Sequence, residues 1–261
     1  MQVKLAAYFL PALIGPGELD GETAVVIDLI RASTTICHAL VARATEVIPC
    51  LEVDEAKRIA ATLPWGQAVL GGEREGVKIP VFDLGNSPEE YTPETVGERT
   101  VVFTTTNGTR AMNVCRGAAR VFIGSFVCLS ALWERLKGAG AVNLLCAGTK
   151  GKITREDVLC AGSIADRLLS SGAVGDDELN DQARIACESW RQSIGPSSLQ
   201  PPFVSLATAL RHSQGGRNLI RLGLERDIEA AAQVDRFTIV PELELKSWRI
   251  IATKPQSDAP T

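Results

Sequence analysis

The sequence has 261 residues, of which 45% are hydrophobic and 22% are charged. This balance is typical of a globular protein and excludes a mainly disordered or collagen-like chain. Lysine and arginine total 27 against 31 aspartates and glutamates, and the net charge of −4 argues against a nucleic-acid partner or an anionic membrane surface. Seven cysteines without a C-x-x-C pair and only two histidines exclude a zinc ribbon or a zinc finger.

The cysteines lie mostly in apolar stretches, as the reduced thiols of cytoplasmic proteins do. No uninterrupted apolar run reaches the roughly 18 residues that a membrane span requires. We therefore expect a cytoplasmic protein without a membrane partner.

Short apolar runs alternate with helical patterns over the first two-thirds of the chain. Strands are predicted at 3–9, 24–28, 47–48, 100–103, 121–123 and 142–146. Helices are predicted at 33–43, 54–62, 107–115, 126–137 and 154–169. This alternation favours an α/β fold of three layers, α/β/α, with a mainly parallel or mixed sheet.

The last third of the chain is mainly helical by pattern. Helices are predicted near 180–193, 203–211, 214–222 and 225–233, before a last strand near 237–240. The Pro- and Ser-rich segment at 195–202 is too short to mark a domain boundary and is predicted to be a surface loop. We expect one domain over residues 1–255, followed by a polar tail at 256–261.

Polar residues follow four of the predicted strands, at the end where ligands bind in open α/β sheets. These segments are 28–35, 104–109, 124–125 and 147–152. Hydroxyls, glycines and cations just before helices form anion pockets, because free N–H groups and the helix dipole point at the ligand. Alternatively, Ser33, Thr34, Thr106 and Asn107 are only helix caps. Four such loops at one edge of a sheet favour a small polyanion as the ligand.

Carboxylates accompany these loops and suggest a cation. Those in or beside the loops are Asp28, Glu73, Asp83, Glu156 and Asp157. Mg²⁺ prefers a few carboxylate oxygens together with waters and substrate phosphate, and the scarcity of histidine disfavours zinc. For Glu156 and Asp157 the alternative stays open that they are favourable charges in the first turn of a helix capped by Thr154.

Three familiar phosphate-binding patterns do not fit. Cys37 and Arg43 have the spacing of a cysteine-phosphatase loop, but the segment between them is helical in pattern and free of glycine. The glycine-rich stretch 71–76 lacks both the spacing and the following Lys-Ser/Thr of a P-loop. Ile30 occupies the position where a haloacid dehalogenase would carry its second carboxylate.

Several blocks in one order carry a family resemblance. They are 25–35, 70–74, 78–80, 82–88, 104–109, 124–126, 146–148 and 156–162, and the pattern reappears at 215–219, Gly223, Asp227 and Asp235. Together they resemble the 2-phosphosulfolactate phosphatase family, densely over residues 1–175. The segment 189–205 is longer and richer in proline than this family leads us to expect.

The resemblance implies Mg²⁺-dependent hydrolysis of (R)-2-phospho-3-sulfolactate to 3-sulfolactate and phosphate, a step of coenzyme M biosynthesis. That substrate carries a phosphate, a sulfonate and a carboxylate, which suits several cationic and hydroxyl-bearing loops. Two alternatives stay open: a phosphatase of another small phosphorylated hydroxy acid, and a catalytically silent anion-binding homologue. Assembly into a homo-oligomer is left open as well.

Roles for individual residues follow from combining the resemblance with the chemistry of the side chains. Asp28 is expected to hold Mg²⁺ together with Glu73 or Asp157. Asp28, Arg31 and Asn107 are predicted to be catalytic, with Arg31 neutralising charge in the transition state. The predicted substrate-binding residues are Ser33, Thr34, Thr35, Lys78, Thr105, Thr106, Arg110, Ser125 and Gly148. Of these, Lys78 and Arg110 are expected to hold the sulfonate or carboxylate. Direct attack by water is favoured, and a phospho-enzyme on Asp28 is the alternative.

Overall fold

The computed structural model describes residues 3–194 and 202–253, with the backbone alone for 202–205. The predicted polar tail at 256–261 lies outside the described residues, as does the predicted loop at 195–202 except for its last residue. Within the described ranges, no helix combines the length and the apolar character that crossing a membrane would demand.

Ten strands of the described chain form one mixed sheet. They are β1 (Lys4–Tyr8), β2 (Thr23–Ile27), β3 (Glu46–Pro49), β4 (Ala68–Arg74), β5 (Val77–Lys78), β6 (Thr100–Thr104), β7 (Arg120–Ile123), β8 (Ala141–Cys146), β9 (Val240–Glu244) and β10 (Arg249–Thr253). Their order across the sheet is β1-β8-β2-β7-β9-β10-β3-β6-β4-β5.

Ten α-helices accompany the sheet in the described ranges. They are α1 (Thr34–Val41), α2 (Val53–Thr62), α3 (Pro93–Val96), α4 (Gly108–Val114), α5 (Leu129–Leu136), α6 (Arg155–Ser170), α7 (Asp181–Ile194), α8 (Pro202–Arg211), α9 (Gln214–Arg221) and α10 (Glu225–Ala231). The predicted helical C-terminal third corresponds to α7 through α10.

The sheet consists of two parallel blocks joined by a hairpin. Strands β1, β8, β2 and β7 pair in parallel, and so do β3, β6 and β4. The hairpin β9–β10 pairs antiparallel with β7 on one side and with β3 on the other. Three successive antiparallel pairings mean that the two blocks run in opposite directions across the hairpin.

The hairpin corrects the sequence prediction, which gave a single last strand near 237–240. The first hairpin strand, β9, begins only at Val240, and β10 was not predicted at all. In β9, charged residues alternate with the buried Leu243, so its apolar signal is short. Pairing with strands already in the sheet, rather than apolar content, determines this part of the fold.

Residues of β2 show why the fold has three layers. Val25 and Ile27 point into a core cluster shared with helices α6 and α7, whereas Ala24 and Val26 point into a second cluster shared with α1 and α4. Because successive side chains of a strand point to opposite faces, helices cover both faces of the sheet. The predicted α/β/α architecture with a mixed sheet is confirmed.

Strand β4 runs through the glycine-rich stretch and explains one of its glycines. Gly72 has a φ of +145°, and a Cβ atom there would overlap the backbone carbonyl oxygen of Thr104 on the neighbouring strand β6. Only glycine combines this backbone conformation with so close an approach. The strand can therefore continue to Glu73 and Arg74, which carries the Glu73 carboxylate to the end of β6.

Candidate active site

A cleft with a volume of about 440 Å³ opens where the ends of β2, β4, β6 and β8 meet helix α9. Its walls combine acidic, cationic and amide side chains with a few apolar ones. The lining residues are Asp28, Ile30, Arg31, Glu73, Glu75, Gly76, Asn86, Thr106, Asn107, Thr149, Lys150, Gln214, Gly215, Asn218, Leu219, Arg221 and Leu222.

Loops from both parallel blocks contribute to this cleft. The first residue of α4, Gly108, follows β6, and a Cβ atom at this glycine would lie only 2.8 Å from Oδ2 of Asp28 at the end of β2. The same Cβ atom would lie 3.2 Å from Oγ1 of Thr105. The loops after these strands therefore meet, as the sequence predicts. They meet where the two oppositely directed blocks join, however, and not along one edge of a parallel sheet.

Asp28 is buried at the base of the cleft. Its backbone N–H donates to Oγ of Ser33 at 2.9 Å, and the Ser33 N–H donates back to the Asp28 carbonyl at 2.8 Å, which closes the turn after β2. Burial raises the pKa of the Asp28 carboxyl to about 7, and the nearby Glu73 and Glu156 carboxylates add to this rise. Backbone N–H groups of Gly108 and Ala32 hydrogen-bond to the carboxyl and act in the opposite direction.

Glu73 joins the ends of two neighbouring strands. Its Oε1 accepts the backbone N–H of Thr106 at 2.7 Å, and its Oε2 accepts that of Gly76 at 2.5 Å. The side chain is buried and still lines the cleft. These two bonds hold the Glu73 carboxylate on the same side of the cleft as the loop after β6.

Asp157, in the first turn of α6, ties the loops after β2 and β8 together. Its Oδ1 accepts the Leu29 N–H at 2.9 Å, while Oδ2 accepts both the Gly148 N–H and the Thr154 hydroxyl at 3.0 Å. Burial, followed by the Glu156 and Asp28 charges, raises the pKa of Asp157 well above its usual range. Asp157 does not line the cleft, and its bonds hold the loops after β2 and β8 together. Its expected role as a metal ligand stays a prediction.

Glu156, beside Asp157 on α6, connects the site to the C-terminal helices. Its Oε1 accepts the backbone N–H of Gly215 at 3.0 Å, and its buried Oε2 has no partner among the described residues. Burial raises the pKa of this carboxyl. The contact brings the start of α9, whose N-cap is Ser213, against the rest of the cleft.

Arg31 is the buried cation of the cleft. Its Nη1 donates to Oδ2 of Asp227 on α10 at 2.8 Å, and its Nη2 donates to the Gly76 carbonyl oxygen at 2.7 Å. Asp227 in turn accepts the Ser87 hydroxyl on Oδ1 at 2.5 Å. The guanidinium is thus fixed by the turn between β4 and β5 and by α10, and Arg31 is one of the residues that line the cleft.

Four predicted substrate hydroxyls do not line the cleft. Ser33, Thr34, Thr35 and Ser125 are fully buried and hydrogen-bonded inside the protein. The Thr34 hydroxyl donates to the Leu29 carbonyl at 2.8 Å and lies 3.0 Å from the Ser125 hydroxyl oxygen. In this structure these hydroxyl groups hold the loops in place, and their predicted contact with an anion stays a prediction. Ser33 is the N-cap residue of α1, but its side chain makes no capping bond there.

Two further predicted residues lie just behind the cleft wall. The Gly148 N–H is already donated to Asp157, and this glycine does not line the cleft. Thr105 is buried, its Oγ1 has no hydrogen-bond partner within 3–194 and 202–253, and it likewise lies behind the lining. Thr106 and Asn107 do line it, so the loop after β6 contributes by these two residues.

The predicted cations Lys78 and Arg110 are exposed and lie outside the cleft. Lys150 and Arg221 line it instead. The Lys150 N–H donates to Oδ1 of Asn107 at 3.2 Å, and its Nζ forms an ion pair with Glu75 at 2.8 Å. The positive charge expected for a polyanionic ligand is therefore present, but on different residues.

Sequence reasoning also missed the wall formed by α9. Gln214, Asn218 and Arg221 line the cleft and are spaced by four and three residues, which places them on one face of that helix. This polar spacing is the signal that could have identified them. Asn86 was missed too; it lines the cleft, and its buried Oδ1 has no hydrogen-bond partner in the part of the chain that the structure describes. An unpartnered buried oxygen there, and another on Thr106, are sites that a bound ligand can satisfy.

The donors present fit a hard cation with few protein ligands. Among the described residues no group of three or more histidine, cysteine, aspartate or glutamate side chains is placed to hold a metal ion. Asp28 and Glu73 are nevertheless two carboxylates in one cleft, and Asp28 is destabilised as an anion. Mg²⁺ is commonly bound by one or two carboxylates, with waters and substrate phosphate completing its shell.

Comparisons with known proteins identify the family of this chain. Residues 8–246 match the family model described as 2-phosphosulpholactate phosphatase. A protein of Symbiobacterium thermophilum named probable 2-phosphosulfolactate phosphatase is 42% identical over 225 residues, which cover 86% of this chain and 92% of that protein. Proteins with the same name from Pseudothermotoga lettingae and Carboxydothermus hydrogenoformans are 39% and 33% identical, over 83% and 95% of this chain and 87% and 97% of their own lengths. The chain therefore belongs to the 2-phosphosulpholactate phosphatase family.

Proposed function

We propose that this protein is a Mg²⁺-dependent phosphatase that hydrolyses (R)-2-phospho-3-sulfolactate to 3-sulfolactate and phosphate in the cytoplasm, as a step of coenzyme M biosynthesis. Family membership and the names of the relatives support the class of reaction. The observation that carries the proposal is the meeting of Asp28, Glu73 and Arg31 in one cleft. Two carboxylates can hold a divalent cation, and a fixed guanidinium can stabilise the charge of a phosphoryl group in transfer.

In this proposal Asp28 and Glu73 hold the cation. When bound, Mg²⁺ polarises the phosphoryl oxygens and neutralises their charge. Asp28 is kept at the base of the cleft by the N–H groups of Gly108 and Ala32, and Glu73 by those of Thr106 and Gly76. Both carboxylates are therefore oriented before any ligand arrives.

Arg31 and Asn107 act on the substrate. The guanidinium of Arg31 neutralises negative charge that develops on the phosphoryl oxygens in the transition state. Oδ1 of Asn107 accepts the Lys150 N–H, which leaves its Nδ2 as a donor for a substrate oxygen. Lys150 and Arg221, further along the cleft, are the cations available for the sulfonate and carboxylate.

We favour direct attack by water. The water oxygen bonds to phosphorus, the bond between phosphorus and the C2 oxygen of the lactate breaks, and a proton ends on that oxygen. The alternative is a phospho-enzyme on Asp28, whose later hydrolysis regenerates the carboxylate. A single turnover of substrate made chiral at phosphorus separates the two, because one in-line displacement inverts the configuration at phosphorus and two displacements retain it.

Release of phosphate from 2-phosphosulfolactate, measured with and without Mg²⁺, tests the proposal. We expect turnover only with the metal, and we expect Asp28→Asn to abolish it while the variant remains folded. Asp54→Asn, which changes an exposed carboxylate on α2, is the matched control and should retain full activity. Faster turnover of another phosphorylated hydroxy acid than of 2-phosphosulfolactate would change the proposed substrate. Tight binding of sulfolactate without any turnover would identify a silent anion-binding protein and overturn the proposal.

A further inference from the structure

The Arg31–Asp227 ion pair is buried far more deeply than the other ion pairs of the described chain. The side chains of Arg31 and Asp227 are 5% and 2% exposed, whereas those of the Arg43–Glu98 pair are 74% and 70% exposed. Removing two charges from water carries a desolvation penalty that their mutual attraction often does not outweigh. A gain in stability is therefore a weak explanation for this pair.

The geometry of the pair fixes the orientation of the guanidinium. Both oxygens of Asp227 are engaged, Oδ2 by Nη1 of Arg31 and Oδ1 by the hydroxyl of Ser87. Nη2 of Arg31 is held separately by the Gly76 carbonyl oxygen at 2.7 Å. With one donated bond from each terminal nitrogen, the plane of the guanidinium cannot rotate freely. The arginine that lines the cleft is thereby aligned before substrate binds.

Asp227 does not line the cleft, so it acts on the reaction only through Arg31. It lies on α10, a helix of the C-terminal third that packs against the segment following β2. A planar guanidinium recognises phosphoryl oxygens through several N–H groups at once, which makes its orientation as important as its charge.

We propose that Asp227 is a positioning residue that aligns Arg31 for transition-state stabilisation, so that α10 belongs to the catalytic machinery; this inference rests on the proposed phosphatase function. Asp227→Asn keeps the shape of the side chain and removes its charge. We expect kcat to fall by about 10- to 100-fold, since misplacing a catalytic group by about an ångström has effects of this size. Affinity for inorganic phosphate, measured by calorimetry, should stay within about twofold or increase, because the cleft retains Arg31 and loses a nearby negative charge.

A double-mutant cycle with Arg31→Ala distinguishes positioning from general damage. If Asp227 acts through Arg31, Asp227→Asn should lower kcat no further in the Arg31→Ala background. Glu242→Gln is the matched control, since Glu242 pairs with Arg135 at 3.2 Å in a half-buried site away from the cleft. We expect this control to leave kcat unchanged even where it lowers stability.

Removing the Asp227 charge leaves Arg31 as an unpaired buried cation, and that variant could fail to fold. Ser87→Ala provides a milder change, because it removes only the hydroxyl that holds the second oxygen of Asp227. We expect a roughly two- to fivefold lower kcat with unchanged phosphate affinity. If Asp227→Asn does not fold, Ser87→Ala decides the question. A kcat equal to that of the wild type in Ser87→Ala would then overturn the inference.

The outcomes separate this inference from the proposed function. A wild-type protein that hydrolyses no phosphate ester overturns the function, and the positioning role falls with it. An active wild type together with unchanged kcat in Asp227→Asn, or with additive losses in the cycle, overturns the positioning role alone. Parallel loss of phosphate affinity and kcat would indicate a merely structural residue and would also overturn it.

Discussion

The contact between Gly108 and Asp28 yields a sharp test of how the cleft is built. Gly108 begins α4, its N–H hydrogen-bonds to the Asp28 carboxyl, and its backbone is not in the left-handed region. Replacing it with alanine therefore adds one methyl group without backbone strain. That methyl carbon would lie 2.8 Å from Oδ2 of Asp28 and 2.9 Å from Cβ of Ala32.

The size of the effect follows from these distances. Carbon atoms in contact prefer separations of about 3.5 to 4.0 Å, so Gly108→Ala forces the start of α4 and the Asp28 turn apart by roughly half an ångström or more. Overpacking of this kind costs about 1 to 3 kcal/mol of stability, and the better helix propensity of alanine offsets up to about 1 kcal/mol of it. Displacement of Asp28 should lower kcat by about 10- to 100-fold, which is more than the change in stability explains.

The assay is phosphate release at saturating substrate and Mg²⁺, combined with chemical denaturation of the same sample. Gly138→Ala is the control, because no described atom lies within 4 Å of a Cβ built there. We expect Gly138→Ala to retain wild-type kcat. A folded Gly108→Ala protein with wild-type kcat would refute the reasoning, since the position of the Asp28 carboxyl against α4 would then be irrelevant to the reaction.

Three further predictions concern the rim and the fold. Glu75 pairs with Lys150, and we expect it to compete with an anionic substrate for that cation. Glu75→Gln should therefore lower KM about two- to fivefold at low salt, and Lys150→Met should raise KM. Steady-state kinetics in which both variants shift KM in the same direction would contradict this competition. Burial, with a smaller effect of Arg236, lowers the pKa of His38 from 6.5 to about 4. Between pH 6.5 and pH 4, His38 is therefore protonated in the unfolded chain but not in the folded protein. The free energy of unfolding should fall by up to about 3 kcal/mol as the pH drops across this range. Chemical denaturation at several pH values should show that the stability of His38→Phe depends less on pH than that of the wild type. The same pH dependence in both proteins would contradict the lowered pKa of His38. Gly72→Ala should destabilise the fold by about 3 kcal/mol or more, because its φ is +145° and its Cβ would overlap a backbone carbonyl oxygen; an unchanged denaturation midpoint would argue against the observed path of β4.

The parts of the site that sequence reasoning found are those defined by chemical type and strand position. Asp28 follows a continuous apolar strand, where a carboxylate is unusual, and Arg31 and Glu73 lie in short polar segments beside predicted strands. These residues line the cleft as the pattern predicts, because the end of a strand also determines where its following residue points.

Whether a hydroxyl or a cation faces the cleft depends on the path of its loop, which local sequence does not encode. Thr35 and Thr106 look alike as threonines after strands, yet Thr35 donates to the Asn86 carbonyl inside the protein while Thr106 lines the cleft. Arg110 lies only two residues beyond Gly108 in α4, but the helical rotation turns it to solvent. Lys150 reaches the cleft through a turn in which it adopts a φ of 51°, a conformation that its residue type does not predict.

The sequence pattern also does not predict the relative direction of the two parallel blocks. Alternating strands and helices predict a parallel sheet within each block, and each block has one. The reversal between them comes from the β9–β10 hairpin, which is formed by residues more than 100 positions away from the strands it joins. Long-range pairing of this kind leaves little trace in the hydrophobic period of the intervening chain.

The burial of acidic groups around the cleft gives the strongest physical argument for a cation there. Asp28, Glu156 and Asp157 are all buried. Burial raises the pKa of Asp28 and of Asp157, and neighbouring carboxylates raise both further. Such clustering destabilises the folded chain at neutral pH unless protons or a cation compensate the charge. The buried cation of the cleft, Arg31, is already paired with Asp227 and cannot serve as the full counterion of Asp28. A fold that keeps this many carboxylates out of water at one place concentrates negative potential at the base of the cleft, where a divalent ion and a phosphate ester can stabilise one another.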